Sequence, residues 1–118
     1  MAKHNELGKA GENSAAKFLA ERKFILLHRN WRQGKHEVDI IALDGTVLVF
    51  VEVKTRSSYR YGFPDESVNA KKEKMLVEAA EIFLELENLE NEIRFDLISI
   101  VKNESQEKIY HIVDAFHG

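Results

Sequence analysis

The run Val47-Leu48-Val49-Phe50-Val51-Glu52-Val53-Lys54-Thr55-Arg56 limits the possible folds of this chain more than any other stretch. Its first half is apolar at every position, the pattern of a strand covered on both faces in the middle of a sheet. Into that strand the sequence sets a carboxylate, Glu52, and an ammonium, Lys54. Residues two apart in a strand share a face at roughly 6 to 7 Å, so the two charges point together while Val51 and Val53 point the other way. A carboxylate left unpaired in a dry interior is penalised by several kcal/mol even after relaxation, so its retention implies a counter-charge or a metal ion. Glu52 and Lys54 therefore mark the candidate site.

Upstream, Glu37-Val38-Asp39-Ile40-Ile41 continues to Leu43 and meets a turn at Asp44-Gly45. Asp-Gly between two strand-like runs is a strong hairpin signal. The hairpin puts Asp39 on the arm beside Glu52, in a register that the sequence leaves open.

Around this hairpin the other elements follow from periodicity. From Leu7 to Lys23, the residues Leu7, Ala10, Gly11, Ser14, Ala15, Phe18 and Leu19 recur at helical spacing. Glu12 lies beside small residues where a backbone can approach, and periodicity alone favours a solvated glutamate there. Phe24 to Arg29 reads as a strand, followed by Asn30-Trp31-Arg32 and the polar link Gln33-Gly34-Lys35. Trp31 reads first as a core or boundary anchor and second as a platform for a base. Residues 57–66 form a loop in which arginine alternates with aromatic rings, suited to phosphate contacts and stacking. A second helix spans Ser67 to about Glu87, with Lys71, Lys72 and Lys74 in its first turns, where the helix dipole disfavours cations. A solvated face is the simpler reading of those lysines, and a bound anion the alternative. Ile93–Val101 and Ile109–Val113 read as closing strands. The order helix, three strands, helix, two strands implies an α/β layer around one mixed sheet.

With 118 residues, one proline and six glycines, the expectation is a single domain over residues 1–118. The lack of cysteine excludes disulfides, thiolate zinc sites and cysteine nucleophiles. No signal-peptide core opens the chain and no apolar run is long enough to span a bilayer, so a cytoplasmic protein without a membrane partner is expected. The net charge of −3 hides an asymmetry: residues 1–74 carry 14 Lys and Arg against 10 Asp and Glu, residues 75–118 only 3 against 10. A partly basic face that guides a polyanion is compatible with that distribution.

Asp39, Glu52 and a nearby backbone carbonyl, that of Val53, make a hard oxygen site suited to Mg2+ or Mn2+. Lys54 would orient or help deprotonate a water and offset charge at phosphorus, and hydrolysis of a phosphodiester follows from that set. The scattered histidines have no zinc spacing, and neither a phosphate-cradling glycine loop nor a serine triad is present. An enzyme for small phosphate esters would need an enclosed pocket, to which the open aromatic-basic loop gives little support.

Several blocks in order resemble the YraN family of small bacterial proteins, assigned to the PD-(D/E)xK nuclease superfamily and similar in layout to archaeal Holliday-junction resolvases. They are Gly8, Gly11-Glu12 and Ala15; Asn30-Trp31-Arg32; Glu37 to Ile41; Phe50 to Arg56; Gly62 and Pro64; Arg94-Phe95-Asp96; and His111-Ile112 with Asp114-Ala115-Phe116. The resemblance implies a restriction-endonuclease-like fold, a central mixed sheet of about five strands flanked by helices in the order α-β-β-β-α-β-β. It implies metal ligation by Asp39 and Glu52, a catalytic lysine at Lys54, and an assisting glutamate at Glu12. His36 stands where the family pattern usually has glycine, which puts an imidazole next to the candidate site. The resulting expectation is a Mg2+-dependent endonuclease acting on DNA, branched or single-stranded, with Arg32, Arg56, Arg60 and Lys71 on the nucleic acid and a homodimer matching a two-fold junction. The competing class is a non-catalytic nucleic-acid-binding or adaptor module on the same scaffold.

Overall fold

The computed structural model describes residues 2–57 and 68–117, with side chains from Leu7 onward. Its elements are α1 (Ala2–Glu21), β1 (Ile25–Gln33), β2 (His36–Asp44), β3 (Val47–Arg56), α2 (Ala70–Glu87), β4 (Ile93–Lys102) and β5 (Glu107–Phe116). The five strands form one sheet in the order β1-β2-β3-β4-β5. Neighbours pair antiparallel except β3 and β4, which run parallel. A parallel pair needs a crossover between its strands, and α2 supplies it. This mixed sheet with its α-β-β-β-α-β-β order is the arrangement expected of a restriction-endonuclease-like fold.

The central place of β3 explains its unbroken apolar run. Leu48 and Phe50 enter a core with Leu76, Ala79, Ala80 and Phe83 of α2, whereas Val49 and Val51 enter a second core with Ala15, Ala16 and Leu19 of α1. Alternate residues thus face different helices, as the two-residue repeat of a strand requires. Trp31 packs at the edge of the α2 core with its ring edge-on to Phe83, a boundary anchor.

Helix α1 approaches β3 closely at one point. A methyl group on Gly11 would overlap Thr55 Oγ1 and lie 2.9 Å from both Cβ and Cγ2 of Thr55. The helix is also tied to both edge strands: Asn13 Oδ1 accepts from Arg29 Nη2 of β1, and Ser14 Oγ donates to Glu107 Oε2 of β5, each at 2.6 Å.

Several boundaries differ from those expected. Helix α1 begins at Ala2 rather than Leu7. Strand β1 continues through Asn30-Trp31-Arg32 to Gln33, because Trp31, Arg32 and Gln33 pair with Val38, Glu37 and His36. The pairing of Asp44 with Val47 places the hairpin turn at Gly45-Thr46, one residue later, with Gly45 at a positive φ of 63°. Helix α2 starts at Ala70 and not at Ser67, since Asn69 is extended and its side chain accepts from the Lys72 N–H at 2.8 Å, a side-chain cap. The other end closes on Asn88, whose left-handed conformation returns its N–H to the last turn.

Under α1, Asp96 is almost fully buried. It accepts from Arg94 Nε at 2.9 Å and Nη2 at 3.0 Å, lies 2.8 Å from His111 Nε2, and accepts from the Asp114 N–H at 3.0 Å. Arg94 also reaches Asp44 at 2.8 Å. Burial pushes the Asp96 carboxyl up, but the hydrogen bonds from His111, Arg94 and Asp114 outweigh it and hold the group below the usual carboxylate range.

Candidate active site

Strands β2 and β3 pair from the turn as far as Ile40 and Val51. Beyond that pair the ladder ends, and the next N–H toward β2 finds a side chain instead: Val53 N–H donates to Asp39 Oδ2 at 2.8 Å. The bond fixes the Asp39 carboxylate against β3 and turns it toward Glu52. Glu52 has 9% of its surface exposed, and its carboxyl lies in the field of the Asp39 carboxylate. Its other neighbour is Lys72 of α2, with Nζ at 3.5 Å from Oε2.

Two carboxyl groups this close cannot both carry full charge without a compensating cation or proton. Burial, and then the negative charge of Asp39, push Glu52 from 4.5 up to about 7, while Lys72 pulls the other way.

The donor set indicates which cation fits. Among the described residues no group of three or more His, Cys, Asp or Glu converges. Two carboxylates suit a small hard dication that retains several waters, as Mg2+ does. Asp39 and Glu52 would hold it. Val53, expected to contribute its carbonyl, is tied to the pair through its N–H.

The remaining candidates lie at different removes. Lys54 follows Glu52 by two residues in β3 and, with Thr55, Arg56 and Ser99, lines a depression at the carboxyl end of the parallel β3–β4 pair. Glu12 is half-buried on α1, next to Gly11 where the helix meets Thr55. Arg32 is exposed and ion-paired with its cross-strand neighbour Glu37 at 3.2 Å. Lys71 is exposed at the start of α2. Arg60, with most of the aromatic-basic loop, lies outside the described residues. His36 places Nε2 3.0 Å from Glu78 Oε1, so its imidazole ties β2 to α2.

From sequence, Lys72 reads only as one of three lysines at the start of the second helix and is not placed in the site. Its signal was present in the run Lys71-Lys72-Glu73-Lys74, which sets cations at the helix end that repels them, but nothing in the sequence singled out which lysine turns toward β3.

A model of the uncharacterised protein family UPF0102 matches residues 11–100. A UPF0102 protein of Bacteroides thetaiotaomicron is 44% identical over 99% of this chain and 97% of its own length. Another, of Christiangramia forsetii, is 47% identical over 98% of each chain. A third, of Flavobacterium psychrophilum, is 44% identical over 99% of this chain and 98% of its own.

Proposed function

This chain belongs to the uncharacterised protein family UPF0102, and we propose that it is a Mg2+-dependent endonuclease that hydrolyses phosphodiester bonds of DNA. The observation that carries the reading is the Asp39–Glu52 pair, two interacting carboxyls on neighbouring strands with Asp39 held by the Val53 N–H and Lys54 two residues beyond Glu52 in β3. Its resemblance to the PD-(D/E)xK pattern supports the same chemistry.

A dication held by Asp39 and Glu52, Mg2+ or in its place Mn2+, supplies Lewis acidity toward a phosphate oxygen and toward water. The protein's own groups do the rest. Lys54, as an ammonium, orients the attacking water and offsets the charge that builds on the phosphoryl oxygens. As the water oxygen bonds to phosphorus and gives its proton to solvent, the bond to the leaving sugar oxygen breaks and that oxygen takes a proton from solvent. Val53 N–H keeps Asp39 aimed at the pair throughout. Glu12 assists from α1, and Arg32, Arg56, Arg60 and Lys71 contact the backbone phosphates. The sequence has no cysteine for a zinc finger, and the substrate proposed is branched or single-stranded DNA rather than a defined sequence. A homodimer in the cytoplasm would match a two-fold junction.

The second reading, a non-catalytic nucleic-acid-binding or adaptor module, draws on one observation: Glu52 already has a counter-charge in Lys72 without any metal ion. Labelled flap, junction, single-stranded and duplex DNA, incubated with and without Mg2+ or Mn2+, separate the two. An endonuclease cleaves in a metal-dependent way and loses this in Glu52→Ala while keeping much of its binding. An adaptor binds and shows no such cleavage to lose.

A further inference from the structure

Between the β1–β2 turn and the start of α2 runs a shallow, open cleft lined by Lys35, Glu37, Asn69, Lys71, Lys72 and Met75. Lys72 belongs to this cleft and also reaches Glu52, so the cleft opens directly beside the carboxylate pair. We propose that it seats the phosphates flanking the scissile one, so that a single nucleic-acid strand leaves the Asp39–Glu52 pair across Lys72 and passes between Lys35 and Lys71. The proposal rests on the nuclease reading and adds the path of the substrate.

Charge is the first support. Among the described residues three ammonium groups face the cleft, and the one carboxylate lining it, Glu37, already has a guanidinium partner in Arg32 at 3.2 Å. The field in the cleft is therefore that of a polyanion site. Two of these lysines also sit where the helix dipole opposes them, each at a cost of about 0.3 to 1 kcal/mol, so they are not there for helix stability. Both also remain open to solvent: Lys71 is exposed, and Lys72 keeps 39% of its side chain open while touching Glu52. The shape is the third support. An open groove with separated cations suits an extended backbone, whereas a small phosphate ester needs enclosure.

The test is the salt dependence of binding by the full chain to a fluorescein-labelled single-stranded oligonucleotide, followed by anisotropy in EDTA so that nothing is cut. Each phosphate contact to a single strand contributes about 0.7 to the slope of log K against log salt. Lys35→Ala/Lys71→Ala is expected to make the slope shallower by about 1.4. Lys17→Ala/Lys108→Ala, which removes the same charge from exposed positions on α1 and β5, is expected to keep the wild-type slope. A wild-type slope in the cleft variant, or an equal loss in the control, overturns the cleft as the binding path. Absence of binding by the wild-type chain instead overturns the nucleic-acid reading beneath it. All four lysines are exposed, so the variants should fold, and an unchanged thermal midpoint verifies it.

Discussion

Lys72 Nζ lies 3.5 Å from Glu52 Oε2, which gives the buried carboxyl pair a cation from a different element than the strand that carries it. An ammonium in that position competes with any dication that Asp39 and Glu52 hold. At 5 Å, a unit charge and a dication repel by roughly 1.7 kcal/mol in water, and more in a partly buried site.

Lys72→Met should therefore tighten binding of Mn2+ at pH 8 by on the order of tenfold. Titration calorimetry of the two proteins checks this. Equal or weaker binding in the variant would mean that Lys72 does not face the cation position.

The raised value of Glu52 gives a pH dependence with a definite sign. A carboxyl that is harder to ionise in the folded chain contributes stability below its unfolded value, and this is lost as pH rises through the folded value. In EDTA, the protein should lose on the order of 2 kcal/mol from this group between pH 4.5 and about 7. Glu52→Gln should flatten that part of the profile and raise Tm at pH 8 by on the order of 5 °C. Mg2+ affinity should run the other way, climbing as pH rises toward 7. Thermal melts from pH 4.5 to 8, with and without Mg2+, read both effects.

Gly11 is required by the approach of α1 to Thr55. Alanine gains up to about 1 kcal/mol in helix propensity, but its methyl meets the short, stiff, β-branched side chain of Thr55, including its Cβ at 2.9 Å. Gly11→Ala should be destabilising by about 1 to 3 kcal/mol. Adding Thr55→Ala should restore part of the loss in a urea melt, because the overlapping Oγ1 is then gone.

Asp96 is a stability group on the α1 side of the sheet. Asp96→Asn leaves Arg94 half-buried with a weaker partner, and breaking a buried pair in this way costs about 3 to 5 kcal/mol. The wild-type carboxyl is held below its ordinary value of 3.8, so its contribution is present above that pH and is lost as pH falls below it. Circular dichroism during acid titration should show the wild type unfolding in that range and the variant already weakened at pH 7.

Much of the frame could be read from the residues because the patterns there are local. The apolar run of β3 required cover on both faces, and two helices provide it. Asp-Gly announced the hairpin, and the carboxylate inside the strand required a partner. The partner could not be read, since it depends on how α2 crosses the sheet: Lys71 and Lys72 are equivalent as sequence, yet the cap at Asn69 sets the helix phase that turns Lys72 toward Glu52. The role of Arg94, Asp96 and His111 was likewise hidden. They stand on two strands, and only the β4–β5 register, which shifts between Phe95 and Leu97, brings them onto one buried network. His36 stood out as a departure from the glycine of the family pattern beside the candidate site, and its ring pairs with Glu78.

The central claim, that Asp39 and Glu52 hold a dication for phosphodiester hydrolysis, is tested most directly by cleavage of labelled junction and single-stranded DNA by the wild type and Glu52→Gln, prepared identically and assayed over a Mg2+ series. The expected result is cleavage by the wild type that rises with Mg2+ and falls by at least about a hundredfold in the variant. Cleavage of equal rate in both proteins, or none by the wild type at any Mg2+ concentration, would contradict it.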